Sequence, residues 1–101
     1  MGGARFFGAI EYRFLRGPFF ADLTVTDDGL ELRPRFVRTF RKTFTLKSDV
    51  LRVTAGGNLS RGVRFESRGG SLDRFIFVPF SPRERHHLRE ELKSRDYPLA
   101  D

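Results

Sequence analysis

The sequence predicts a mainly β protein with one C-terminal α-helix, and three observations favour this class. Short runs of alternating apolar and polar residues follow one another along most of the chain, as in half-buried strands. Turns rich in Gly, Asp and Ser separate these runs. After Pro79 the strand pattern ends, and a helix-start signal follows at Ser81. We expect about seven short antiparallel strands in a β-sandwich or barrel that the helix caps.

The helix is predicted over about residues 81–95. Ser81 suits the N-cap position, because its hydroxyl can accept a hydrogen bond from the first helical turn. Pro82 then occupies the first helical position, and Glu84 completes an S-x-x-E capping box. Leu88 and Leu92 lie one turn apart, so the helix has a narrow apolar stripe. This stripe favours a helix that covers the open side of a β core.

The clearest hairpin is predicted over residues 21–33, ADLTVTDDGLELR. Ala21, Leu23 and Val25 alternate with polar residues, and the same alternation resumes at Leu30. Between them, the Asp-Asp-Gly sequence at 27–29 predicts a tight turn, because Asp-Gly tolerates the positive φ of hairpin turns.

The other strands have weaker patterns. Residues 1–18 are expected to form an extra strand or an arm packed on the outside, since Ile10, Tyr12 and Phe14 alternate with charged residues. After Pro34, apolar residues keep even spacing up to Phe44 and Leu46, and a loop or bulge is predicted to divide 35–40 from a strand at 41–46. Further strands are predicted at 50–54, 63–66 and 72–78.

Composition limits the class of protein. A chain of 101 residues is expected to form a single domain over 1–101. It has no Cys, which excludes disulfides, thiol catalysis and zinc sites built on thiolates. The sequence has no apolar run of the ~20 residues that a membrane span needs. We expect a cytoplasmic location, with attachment at the membrane surface as the alternative.

Catalytic and metal-binding motifs are also absent from the sequence. It contains neither G-x-S-x-G nor a phosphate loop ending in Lys-Ser or Lys-Thr. His86-His87 and Glu90-Glu91 have i, i+4 spacing, but no third ligand lies nearby in the sequence, so we expect a solvated helix face and no metal. The prediction is a protein that is not an enzyme and that has no cofactor.

The net charge of +6 is concentrated in one place. The segment 33–47 contains six basic residues and no acidic ones, so the rest of the chain is balanced. Within it, five residues in 33–42 are the candidates for binding anions or lipids: Arg33, Arg35, Arg38, Arg41 and Lys42. Arginine pairs bidentately with phosphate. Phe36 and Phe40 lie among them and would insert into lipid if exposed, or lie in the core if the segment is only a solvated sheet edge.

The order of these patterns resembles the pleckstrin-homology-like superfold, in particular small bacterial PH-like and GRAM-like domains. The resemblance is carried by ADLTVTDDGLEL, LKSDVLRV, RGVRFES and LDRFIFVPF followed by the helix, over roughly residues 19–97. It implies a non-catalytic module that binds lipids, peptides or proteins, or that self-associates. One departure matters: the turn at 27–29 is short and acidic, where phosphoinositide-binding members have a long basic loop. Their lipid site is therefore not transferred to this chain.

We expect a non-enzymatic PH-like interaction module. Its basic segment would dock onto an anionic membrane surface or a partner protein, and homo-oligomers are a further possibility. The alternative is a nucleic-acid-binding β domain that uses residues 33–42. The sequence RFVRTFRK argues against the alternative, because it lacks the Gly of the RNA-recognition strand signature.

Overall fold

A computed structural model of the chain describes residues 3–12, 19–35, 43–56, 62–69 and 75–100. These residues form seven strands, a short 3₁₀ turn (Lys47–Asp49) and one α-helix. The strands are β1 (Ala4–Tyr12), β2 (Phe19–Val25), β3 (Gly29–Arg35), β4 (Thr43–Leu46), β5 (Val50–Gly56), β6 (Gly62–Ser67) and β7 (Phe75–Pro79). The helix is α1 (Pro82–Ser94).

The strands form a single curled sheet in the order β4-β3-β2-β1-β7-β6-β5. Every pair of neighbours is antiparallel. The sheet curls into a half-barrel, and the one helix follows the last strand. The predicted fold class, mainly β with about seven antiparallel strands and one C-terminal helix, is confirmed.

β1 lies in the middle of the sheet. It pairs with β2 along one side, from Ala4 opposite Val25 to Ile10 opposite Phe19. Along its other side it pairs with β7, from Gly8 opposite Pro79 to Tyr12 opposite Phe75. Of the two alternatives for the first 18 residues, the structure therefore has a strand; residues 13–18 lie outside the described part.

The core lies on the inner face of the curl, and period-two alternation decides which residues reach it. Phe6 and Ile10 of β1 are 2% and 1% exposed, and Phe77 of β7 is 1% exposed. The remaining members of this cluster come from the other strands, the helix and the segment after it: Ala21, Leu23, Val25, Leu30, Leu32, Val50, Val53, Val63, Phe65, Leu88, Leu92 and Tyr97. The residues between them in sequence lie on the opposite side of the sheet, which we term the outer face.

The predicted hairpin is confirmed, but its glycine has a different function from the one expected. β2 and β3 pair in register, with Val25 opposite Leu30. Positive φ among the described glycines occurs at Gly69, in the turn after β6, and not at Gly29. A Cβ on Gly29 would collide with the backbone carbonyl oxygen of Thr45. Gly29 is therefore required because β4 approaches it closely.

The residues of β4 that point to the core are the opposite of those that the sequence predicts. Phe44 and Leu46 were grouped with the apolar face of this segment, but they are 51% and 52% exposed. Thr45 lies opposite Leu30 and is 4% exposed, so it is the residue that faces the core. The register with β3 decides this, because residues opposite one another in a sheet lie on the same face.

The helix begins as predicted. The Ser81 hydroxyl accepts a hydrogen bond from the Glu84 N–H at 3.1 Å, and Pro82 is the first helical residue. Leu88 and Leu92 are fully buried, and His87 contacts the Phe6 ring edge to face at 5.5 Å. In the part of the chain that the structure describes, no helix is long and apolar enough to cross a membrane.

The segment after the helix anchors the helix to the sheet. Tyr97 is buried, and its hydroxyl donates to the Thr26 carbonyl oxygen at 2.7 Å. Beyond it, the Val53 N–H donates to Pro98 O and the Ala100 N–H donates to Val53 O, each at 2.8 Å. These bonds add a short parallel bridge to the edge of β5, so the segment links the β2–β3 turn to that edge strand.

Replacing Leu88 by Ala tests whether the helix closes the core. Leu88 is fully buried, so Leu88→Ala removes apolar contacts and leaves a cavity. We expect a loss of about 2–5 kcal/mol in the free energy of unfolding, measured by urea denaturation. Leu51, which is 53% exposed, provides the control: Leu51→Ala is expected to change stability by less than about 0.5 kcal/mol. Equal losses in the two variants would contradict this account of the core.

Because the Tyr97 phenol is buried, we expect the free energy of unfolding to fall at high pH. Burial raises the pKa of Tyr97 from its ordinary value of 10.0 to about 12. The folded state therefore holds the phenol proton more tightly than the unfolded state, so this contribution is complete below pH 10 and is lost as the pH rises toward about 12. Urea denaturation across this pH range should show the decrease. Tyr97→Phe, which cannot ionise, should show a smaller one, and identical pH dependence in both proteins would refute the prediction.

Candidate functional site

The structure places two of the five predicted anion-binding residues. Arg33 and Arg35 lie on the outer face of β3, and both are exposed. Arg38, Arg41 and Lys42 lie outside the described residues, as do Phe36 and Phe40. The chain leaves the described sheet at Arg35 and re-enters it at Thr43, so the basic segment begins on the outer face.

Arg35 forms an ion pair with a carboxylate on this face. Its Nε lies 2.6 Å from Oδ2 of Asp22, on the neighbouring strand β2. Asp22 is opposite Arg33 in the register, so Arg35 reaches it diagonally across the two strands. The Asp22 side chain is 7% exposed and that of Arg35 is 45% exposed. A buried carboxylate requires such a partner, because its desolvation is otherwise uncompensated.

Three phenylalanines lie beside this pair and contact one another. Phe7 of β1 has its ring centroid 6.0 Å from that of Phe20 of β2 and 5.0 Å from that of Phe80, which follows β7. Phe20 and Phe80 are 5.9 Å apart. The Arg35 guanidinium lies 5.1 Å from the centre of the Phe7 ring, within the range of cation–π attraction. We term Phe7, Phe20 and Phe80 the outer aromatic patch.

The patch is accessible to solvent. Phe7 is 38% exposed and Phe80 is 55% exposed, while Phe6, the neighbour of Phe7 in sequence, is 2% exposed. Single exposed apolar side chains are normal on protein surfaces, but contiguous apolar groups mark binding sites. The mutual ring contacts show that these exposed side chains form one contiguous group.

The sequence prediction missed this patch, although a signal for it was present. Consecutive residues of a strand point to opposite faces, so a Phe-Phe doublet must place one ring outside the core. Phe6-Phe7 is such a doublet, and Phe20 belongs to a second one. Phe80 has no comparable signal, because it lies after the end of β7 and its position depends on the path to the helix.

Basic residues surround the patch. Arg5 and Arg33 are exposed on the same face, on strands β1 and β3. On the β5–β6 side of the outer face, the Arg52 guanidinium makes two hydrogen bonds of 2.9 and 3.0 Å with the Glu66 carboxylate. These bonds hold the pKa of Glu66 below its ordinary value. Positive charge and exposed apolar surface therefore coincide at the Phe7 end of the sheet.

A cleft adjoins the patch. Its described lining residues are Ala9, Val78, Pro79, Phe80, Ser81, Pro82 and Arg85, and its volume is about 490 Å³. Phe80 belongs to both the cleft and the patch. The cleft is thus a continuation of the same surface, at the place where β7 passes into α1.

The helix face carrying His86 and Glu90 offers no metal site in the described residues. Nowhere in that part of the chain are three His, Cys, Asp or Glu side chains grouped as a metal ion would need. Glu91 and Arg95, one helical turn apart, form an ion pair with 3.1 Å between Oε2 and Nε. Arg95 also contacts Asp27 at 2.9 Å, so these charges fasten the end of the helix to the β2–β3 turn.

Comparisons with known proteins give no family assignment, since no family model and no curated protein matches the chain. The resemblance to PH-like domains stays a prediction that rests on the residues quoted for it. What the surface can bind must therefore be inferred from its own chemistry.

Removing the Arg35 side chain tests the ion pair on the outer face. Arg35→Ala leaves the buried Asp22 carboxylate without this partner, so we expect a loss of about 1–2 kcal/mol in unfolding free energy, limited by the partial exposure of Arg35. Arg33→Ala, on the same strand and face, should cost less than about 0.5 kcal/mol. Urea denaturation measures both. An equal effect of the two substitutions would contradict a specific contribution of Arg35.

Proposed function

We propose that this chain is a non-enzymatic docking module that binds an anionic membrane surface through the outer aromatic patch and the basic residues around it. The observation that carries the proposal is the contact of three phenylalanines with one another, and of Phe7 with Arg35, on the face that the helix leaves uncovered. Aromatic side chains beside cations suit the boundary between lipid headgroups and acyl chains.

Two physical contributions would add at this face. Insertion of the exposed parts of Phe7 and Phe80 would remove apolar area from water. Each basic residue near an anionic leaflet contributes about 1 kcal/mol of attraction, and Arg5 and Arg33 are exposed on this face. The sequence adds Arg38, Arg41 and Lys42 in the segment that continues from Arg35. The contribution proposed for these three residues depends only on their positive charge.

A protein partner is the competing occupant of the same surface. An acidic protein face would also match the surrounding arginines, and the resemblance to PH-like domains implies protein binding as well as lipid binding. The proposal favours the membrane because the basic residues surround an apolar centre, and the chain as a whole has a net charge of +6. Binding to vesicles without any other protein separates the two occupants.

Nucleic-acid binding ranks lower. Bases stack on the flat faces of aromatic rings. In the patch, Phe7 and Phe20 are inclined by only 27°, but Phe80 meets them at 62° and 49°, so the three rings together do not form a parallel stacking platform. The arginines alone would support only salt-sensitive attraction to phosphates.

Co-sedimentation with vesicles tests the proposal. The protein should bind phosphatidylglycerol vesicles and not phosphatidylcholine vesicles, with affinity that decreases as salt increases but does not vanish, because the apolar contribution is not screened. Phe80→Ser should weaken binding about tenfold, since it removes the most exposed ring of the patch.

Phe44→Ser is the matched control for this experiment. Phe44 is 51% exposed, on the same outer face but away from the patch, and its substitution should leave vesicle binding unchanged. Failure of the wild-type protein to bind anionic vesicles at low salt would overturn the proposed function. So would an equal loss in both variants, which would mean that binding is independent of the patch.

A further inference from the structure

We propose that the cleft beside the patch binds one anionic phospholipid, with the phosphate at Arg85 and the upper part of an acyl chain along the apolar walls. This inference rests on the proposed function, which it deepens from general attraction to a defined lipid site. The cleft volume of about 490 Å³ lies within the range of small-molecule sites in proteins.

Most residues that line the cleft are apolar, and they come from two paired strands and from the start of the helix. Ala9 of β1 and Val78 of β7 are opposite each other in the sheet register, and both lie on the outer face. Pro79 and Pro82 line it further along, where the chain turns from β7 into α1. An acyl chain laid against these side chains would remove apolar area from water without requiring a hydrogen-bonding partner.

Arg85 supplies the charge at this site. Among the described residues that line the cleft, it is the one with a formal charge, and Ser81 is the one with an uncharged polar side chain. A guanidinium has five N–H donors and binds phosphate oxygens in a fork, so a contact within the fold leaves donors for a ligand. The backbone of Arg85 is held in the first helical turn, where its N–H donates to Ser81 O at 3.0 Å.

Ser81 can add a hydrogen bond to the same phosphate. Its hydroxyl oxygen accepts from the Glu84 N–H, and a hydroxyl can donate its own proton while it accepts. An anionic headgroup with an attached alkyl chain therefore matches the cleft better than either part alone. A free phosphate would lack the apolar contacts, and a neutral amphiphile would lack the negative charge that attracts Arg85.

Phe80 joins the cleft to the membrane-docking surface. It lines the cleft and also contacts Phe7 and Phe20 in the patch. Insertion of the patch would therefore bring the cleft to the level of the lipid headgroups. One lipid could enter the cleft from the bilayer while the patch stays inserted.

Titration of the isotope-labelled protein with dodecyl phosphate, below its critical micelle concentration, tests the site. We expect saturable one-to-one binding, with NMR shifts at the amides of Ala9, Val78 and Arg85. Inorganic phosphate should give no comparable shifts, and dodecyl maltoside should bind at least about tenfold more weakly, because it lacks the charge that pairs with Arg85.

Variants identify the residues responsible. Arg85→Gln should weaken dodecyl phosphate binding about tenfold, whereas Arg83→Gln, exposed in the same helical turn, should leave it unchanged. Ala9→Leu, which fills the cleft, should abolish binding of this probe. Shifts confined to Phe7 and Phe20, equal affinity for the maltoside, or equal effects at Arg83 and Arg85 would each overturn the inference.

The two proposals fail in different ways. Binding of anionic vesicles without a saturable dodecyl phosphate site would overturn the lipid cleft and leave membrane docking in place. Absence of binding to anionic vesicles would overturn both membrane docking and the binding of a membrane lipid in the cleft, even if dodecyl phosphate binds in solution.

Discussion

The helix can cover only one face of the curled sheet, and the rest of the molecular surface follows from this constraint. Leu88 and Leu92 are fully buried against the inner face, which closes the core. Tyr97 and Arg95 then hold the end of the helix to the β2–β3 turn through Thr26 and Asp27. Apolar side chains on the outer face are left without a helix above them, so they meet solvent or a binding partner.

The outer face is stabilised by its own contacts, and these contacts connect folding to binding. Asp22 is buried there beside Arg35, and Arg35 in turn lies over the Phe7 ring. The same arginine therefore compensates a buried carboxylate and packs against a ring of the proposed docking surface. Phe80 also takes part in two features, because it contacts Phe7 within the patch and lines the cleft.

For the site, the sequence analysis identified the charge but not the apolar centre. The excess of arginine in 33–42 led to Arg33 and Arg35, which the structure places on the outer face, while Arg38, Arg41 and Lys42 lie outside the described residues. From the sequence, Phe36 and Phe40 were considered as the apolar side chains of the site, because they lie in the same segment. A sequence shows which residues are adjacent along the chain but not which ones meet in the fold. Phe36 and Phe40 lie outside the described residues, and the described rings beside Arg35 come from three other places in the chain, brought together by the strand order.

The sequence by itself determined the local elements: the β2–β3 hairpin, the capped start of the helix and its buried Leu88 and Leu92. These depend on spacing and capping over a few residues, which are visible in one dimension. Only the tertiary structure decided that β1 lies centrally, that Thr45 and not Phe44 faces the core, and that Phe80 returns over the outer face. Alternation shows that a strand has two faces, but register and strand order decide which of them is buried and which side chains meet across the sheet.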